Sequence, residues 1–257
     1  MANIGLVSIM HDPEGRMVQA VEHSLPELRK WYATMSVNAT PPSNATVGLL
    51  RAFGVEVQDR TDTHIGVARR NALELGMNHS QIEFFHYCDF DRLLHWFIYH
   101  PDELRGTLGA ITAYDFLVLG RTANAFESHP RAQIETERIT NLAFSLTFGE
   151  DMDVTAGSCG LSRRAGELIL SHSQALGNDT DTEWPLIVST LSGNKLRVGY
   201  KQNQGLEFET ADYYGERVFL DSESPDNWYK RVRICRESVE AATRFSRGIS
   251  SREVQEE

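Results

Sequence analysis

The chain has 257 residues, 41% of them apolar, which is enough to close an ordinary buried core over one large domain. Its 36 acidic and 25 basic side chains leave a net charge of -11, so a nucleic-acid backbone is excluded as the source of binding energy. No run reaches the roughly 18 apolar residues of a membrane span, the first residues lack the basic and apolar regions of a signal peptide, and Cys88, Cys159 and Cys235 have neither disulfide-framework nor zinc spacing. A cytoplasmic protein acting on small molecules is expected, with a homodimer left open.

In chain order, residues 4–10 form a short apolar run that reads as a first strand, left through His11-Asp12-Pro13-Glu14-Gly15. Val18, Val21, Leu25 and Leu28 give helical spacing over 18–31, with Pro26 expected to bend it. A strand over 34–37, a helix over 43–53, a strand over 55–58 and a helix over 64–75 follow, the last closed by Gly76 as a left-handed cap. Residues 82–87 are apolar and aromatic almost without interruption, as in a central strand buried on both faces. A fifth strand is expected over 115–119, a long helix over 131–148, a turn-rich stretch over 149–162 and a helix over 163–176. Glycine punctuation over 186–220 suggests β-hairpins, 227–244 a terminal helix and 246–257 a solvated tail. Alternation of strands and helices predicts an α/β domain with a mostly parallel central sheet covered on both faces, with hairpin and helix additions at its C-terminal end.

The chemistry centres on Asp89-Phe90-Asp91, directly after the central strand. Open parallel sheets bind ligands at the carboxyl ends of their strands. Two carboxylates one residue apart there can present several oxygens to one hard cation, Mg²⁺ or Mn²⁺, whose remaining ligands come from a diphosphate and water. Asp91 is the expected direct ligand, and Asp89 a metal or ribose contact. His129, in the loop Ser128-His129-Pro130, is a candidate third metal ligand. Gln133, Glu137 and Asn141 share one helical face that could line an acceptor cleft.

Gly66-Val67-Ala68-Arg69-Arg70-Asn71, followed by Phe84-Phe85-His86-Tyr87-Cys88-Asp89-Phe90-Asp91, resembles the motif order of the GT-A glycosyltransferases, in particular the family-2-like nucleotide-diphospho-sugar transferases. The resemblance covers roughly residues 3–190 and implies one GT-A-like domain over 1–245, with a nucleotide-binding half (1–100) and an acceptor half (101–245), and a flexible tail over 246–257. It implies a UDP- or GDP-linked sugar donor and a small-molecule acceptor. Met10, His11 and Asp59 would border the nucleobase, Arg70 would approach the diphosphate, and Asn38 stands where the family usually has aspartate. Gly157 and Ser158 match a glycine-rich acceptor-side segment. Asp179-Thr180-Asp181-Thr182-Glu183 resembles the acidic segment that supplies a catalytic base, which makes Glu183 the expected base and Asp181 the second choice. Trp184 reads as a core aromatic or a sugar-stacking ring.

Three other readings share the Asp-x-Asp pair. A dehalogenase-type phosphatase would use one aspartate as nucleophile, but its motif normally lies near the N-terminus. A nucleotidyltransferase should carry a glycine-rich basic loop after the first strand, which 11–16 matches poorly. The third is a nucleotide-sugar binder without turnover.

Overall fold

The computed structural model describes residues 3–40, 45–59, 64–193 and 195–253, with side chains followed to residue 246. The helix expected over 43–53 therefore begins partly outside the described residues.

Seven strands form one sheet: β1 (Ile4–His11), β2 (Thr34–Thr40), β3 (Glu56–Asp59), β4 (Phe84–Cys88), β5 (Phe116–Arg121), β6 (Ser158–Ser162) and β7 (Val198–Asn203). Their order is β3-β2-β1-β4-β6-β5-β7, and every neighbouring pair is parallel except those made by β6, which runs antiparallel between β4 and β5. From β1 the chain proceeds outward through β2 and β3, then returns to place β4 on the other side of β1. This reversal leaves a crevice at the carboxyl ends of β1 and β4, the place where open α/β sheets take ligands.

Successive side chains of a strand face opposite sides, and the sheet separates its apolar residues accordingly. Leu6, Leu117 and Leu119 enter one core with Leu25 and Leu28 of helix α1 (Val18–Trp31), Trp96 of α4 (Phe90–Tyr99) and Leu104 of α5 (Pro101–Ile111). Val7, Phe116 and Val118 enter the other with Leu73 of α3 (Ile65–Met77), Ile169 of α8 (Arg163–His172) and Trp184 of α9 (Thr180–Leu191). Trp184 is core, its ring set edge-on to that of Tyr87 with the ring centres 5.7 Å apart. The remaining helices are α2 (Ala45–Ala52), α6 (Ala123–Glu127), α7 (Arg131–Phe148), α10 (Thr210–Tyr214), α11 (Arg217–Asp221) and α12 (Pro225–Glu253), which packs on α7 and α9.

Helices α1 and α7 occupy the predicted ranges, and α7 ends on Gly149 with φ +95°, the left-handed cap that glycine provides without a Cβ clash. Gly76 is different. It lies inside α3, where a Cβ would come within 2.2 Å of Val7 Cγ1, so the glycine serves helix-on-strand contact and does not end the helix. Gly76→Ala is expected to destabilise the fold by about 2–3 kcal/mol through overpacking, read as a lower urea midpoint with unchanged slope.

The hairpins expected over 186–220 are replaced by α9, by the single strand β7 and by α10 and α11. Residues 182–188 of α9 are buried on every side, which erases the amphipathic period by which a helix is recognised. Strand β6 was expected as turn because its residues are small. A Cβ on Gly160 would stand 2.5 Å from Ile111 Cγ1, so small side chains let α5 press on the sheet. The terminal helix continues to Glu253, through the first part of the expected tail.

His86 of β4 is fully buried between the Tyr32 hydroxyl (2.7 Å) and Ser158 Oγ (3.2 Å), and burial lowers its pKa from 6.5 to about 3. The native ring therefore stays neutral while the unfolded one takes up a proton below 6.5, so stability is lost as pH falls from 6.5 towards 3. Relative to His86→Gln, the wild-type unfolding free energy should fall by about 1.4 kcal/mol per pH unit across that window. Parallel urea titrations of the two proteins at several pH values measure it.

Candidate functional site

Strand β4 ends at Cys88, and Asp89 is the residue from which α4 starts, its carbonyl accepting the Leu93 N–H at 2.9 Å. The Asp89 carboxylate is held on both oxygens. Tyr87 donates its hydroxyl to Oδ1, and Arg69 Nη2 donates to Oδ2 at 3.1 Å. Arg69 comes from α3 and is only 3% exposed. Its Nη1 reaches Asp181 Oδ1 (2.6 Å) and Thr180 Oγ1 (2.7 Å), so one buried guanidinium ties the end of β4 to the start of α9.

Asp91 stands two residues further, half-buried, with Oδ1 accepting the Arg92 N–H at 2.9 Å. Burial, then the carboxylates of Glu209 and Asp89, raise its pKa from 3.8 to about 7. Arg92 turns away to meet Glu209 with Nε (3.2 Å) and Nη2 (3.0 Å), and donates Nη1 to the Ala156 carbonyl. Thus Asp91 faces two like charges, while the nearest arginine is engaged by Glu209.

Gly157 closes this corner. Its φ is +62°, its carbonyl accepts the Asp89 N–H at 3.3 Å, and a Cβ there would stand 3.0 Å from Asp89 Oδ2. The residue thus needs both glycine's left-handed backbone and its missing side chain. Arg69, Asp89, Asp91, Gly157 and Asp181 all line one cleft of about 320 Å³, roofed by α7 and α12. Gln133, Thr136, Glu137 and Thr140 supply the α7 wall, and Lys230, Arg231 and Ser238 the α12 wall.

Of the residues singled out in the sequence, Asp89, Asp91, Gly157 and Asp181 meet in this cleft. Glu183 does not. Its oxygens accept Ser173 Oγ (2.5 Å), the N–H groups of Gln174 and Ala175 (3.1 Å each) and Arg244 Nη2 (3.3 Å), which spends the carboxylate on pinning residues 173–175. Arg70 donates to Ser173 Oγ and the Ala175 carbonyl of the same stretch, and it is Arg69 that turns to the cleft. Ser158 is a strand residue whose hydroxyl donates to the Tyr87 carbonyl at 3.1 Å.

His129 is buried, its Nδ1 on the Ala125 carbonyl at 2.9 Å and its ring 5.5 Å from that of Phe208. Burial, with Arg121 and Arg92 nearby, holds its pKa well below 6.5. Among the described residues no three His, Cys, Asp or Glu side chains are placed to hold one ion, so His129 does not complete a trio with Asp89 and Asp91.

Met10, His11, Asn38 and Asp59 lie towards the adjoining carboxyl ends of β1, β2 and β3, where Ala39 is registered between Met10 and Asp59. None of the four lines the cleft. Asp59 pairs with Arg51 at 3.0 Å, and Asn38 is buried with no hydrogen-bond partner for Oδ1 among the described residues. Asn141 turns to Asp153 (2.8 Å) and the Val154 N–H (2.9 Å), leaving Gln133 and Glu137 on the cleft side of α7.

The sequence reading missed Arg121 and Glu209. Arg121 is fully buried and binds Asp153 (2.8 Å) and Glu137 (2.7 Å) behind the cleft wall. Its partners lie 16 and 32 residues away, and Glu209 lies 117 residues from Arg92, so no local pattern marks either.

No family model and no curated protein sequence matches the chain. Solved structures do. Mannosyl-3-phosphoglycerate synthase from Rubrobacter xylanophilus superposes with a TM-score of 0.56 at 17% identity, over 97% of this chain and 75% of that one. Glucosyl-3-phosphoglycerate synthase from Mycobacterium tuberculosis, in complex with Mn²⁺, uridine-diphosphate and glucosyl-3-phosphoglycerate, gives 0.56 at 14% identity over 90% and 80%. The same enzyme with Mn²⁺, UDP-glucose and phosphoglyceric acid gives 0.54 at 13% identity over the same shares. At these identities the likeness is one of architecture, and the chain has the GT-A fold of the nucleotide-sugar glycosyltransferases.

Proposed function

We propose that the protein is a metal-dependent glycosyltransferase that moves a sugar from a nucleotide-diphosphate donor to an acceptor hydroxyl. The observation that carries this reading is the Asp89/Asp91 pair, set at the end of the central strand β4 and opening into the cleft. The donor set fits a hard divalent cation, Mg²⁺ or Mn²⁺. The carboxylates of Glu209 and Asp89, each paired with an arginine of its own, still raise the Asp91 pKa, and a cation bound by two carboxylates takes its other ligands from diphosphate and water. Bound there, the cation would neutralise the charge that builds on the leaving diphosphate.

The chain's own residues do the remainder. Arg69 and Tyr87 fix the Asp89 carboxylate, and Gly157 leaves room beside it. Asp181 takes the role of base that Glu183 is placed too far from the cleft to fill. Burial, opposed by Arg69, raises its pKa to about 6, so it is mostly ionised at neutral pH and more basic than an ordinary carboxylate, as acceptance of the acceptor's hydroxyl proton requires. The Mycobacterium tuberculosis synthase holds UDP-glucose and phosphoglyceric acid and the Rubrobacter xylanophilus enzyme is a mannosyl-3-phosphoglycerate synthase, which makes UDP-glucose, a nucleotide-diphosphate-linked mannose and 3-phosphoglycerate the first substrates to try. Nucleoside diphosphate release should require Mn²⁺ or Mg²⁺ and rise when the right acceptor is added. A generic aryl phosphatase activity, with no release from any nucleotide-sugar, would overturn the proposal.

Among the described residues, no helix is long and apolar enough to cross a membrane.

A further inference from the structure

Helix α7 has two different faces. One lines the cleft through Gln133, Thr136, Glu137 and Thr140. The other carries Ile139, Leu142 and Leu146, which are 56%, 60% and 78% exposed and belong to none of the cores. Spacings of three and four residues put these side chains in one row along the helix. Three large aliphatic residues so exposed on one helix mark a surface that gains by being covered.

The charges at the ends of the row indicate what covers it. Arg131 opens α7, and Glu150 follows the Gly149 cap; both are exposed and neither makes an ion pair among the described residues. Arg138, by contrast, is engaged by Glu127 at 2.5 Å. Glu135, in the same row between Arg131 and Ile139, pairs with Arg138 at 3.9 Å, so the row keeps an unpaired basic beginning at Arg131, an apolar middle and an acidic end at Glu150, a pattern that matches the same helix turned end for end. With a two-fold axis midway between Ile139 and Leu142, Ile139 meets Leu142 of the partner subunit, Leu146 lies over the side chain of Glu135 of the partner subunit, and Arg131 falls opposite Glu150 of the partner subunit. We infer that the protein forms a two-fold homodimer through antiparallel pairing of the outer faces of α7. Such a contact is closed and self-complementary, and it leaves the cleft, on the opposite side of the helix, open to substrate. The net charge of -11 speaks against an anionic lipid surface as the occupant.

Sedimentation equilibrium of the full chain across a wide concentration range tests this. The mass should rise from 29.0 kDa to twice that value. Leu142→Glu should weaken the dimer by roughly tenfold or more. Arg131→Glu and Glu150→Arg should each weaken it, and the double reversal should restore it, with the effect fading at high salt. Far-ultraviolet circular dichroism checks that these surface variants keep the fold. A monomer at every concentration overturns the inference, as does a dimer that Leu142→Glu leaves intact. A dimer broken by Leu142→Glu but indifferent to both charge reversals overturns the antiparallel arrangement.

Discussion

Asp91→Asn is expected to lower transfer, measured as kcat/KM, by about a thousandfold or more, some 4 kcal/mol of transition-state stabilisation. The amide keeps the shape of the carboxylate and its bond to the Arg92 N–H but removes the negative charge that would hold a cation. In the metal-free protein the same change should leave thermal stability unaltered or raise it by up to about 2 kcal/mol, because repulsion from Glu209 and Asp89 disappears with the charge. Loss of activity together with retained or increased stability separates a functional carboxylate from a structural one. Thermal unfolding and initial rates on the same preparations give both readings.

The largest effect on stability is expected at Arg69. Arg69→Met removes the partner of two carboxylates at once and leaves Asp89 and Asp181 facing each other across the cleft wall. Breaking a buried ion pair from one side costs about 3–5 kcal/mol, since the remaining charge is left without compensation. Arg70→Met, one residue away on the same helix, loses hydrogen bonds to Ser173 and the Ala175 carbonyl and should cost only about 1–2 kcal/mol. Urea unfolding of the two variants side by side measures the contrast. Equal losses would mean that the Asp89–Arg69–Asp181 bridge is not what holds the end of β4 to α9.

The distinction between these two arginines also shows how far the sequence could be read. The strands β1 and β4 and the helices α1 and α7 carry clear local signals, apolar runs in the first case and 3.6-residue periodicity in the second, and their ranges were legible to within a few residues. The Asp89-Phe90-Asp91 pair was legible for the same reason: it directly follows a run that only a buried strand explains. Which side of α3 faces the cleft was not. Arg69 and Arg70 are adjacent, and a shift of one residue turns a helical side chain by roughly 100°.

Glu183 was misread for a related reason. An acidic residue at the start of a helix looks available in the sequence, but here the folded chain wraps residues 173–175 around it. The Arg92–Glu209 and Arg121–Glu137–Asp153 clusters depend on contacts between elements far apart in the chain, which no local pattern records. Strand β6 and helix α9 escaped because tight packing selected small residues in one and burial on all sides in the other.

Calorimetric titration of UDP and of GDP into the wild-type protein and Asp91→Asn, each with and without Mn²⁺, tests the central claim most directly. Binding of one of the two nucleotides that appears only with metal, and disappears in the variant, is the predicted result. Nucleotide binding of equal strength without metal, or undiminished in Asp91→Asn, would contradict the assignment of the cleft.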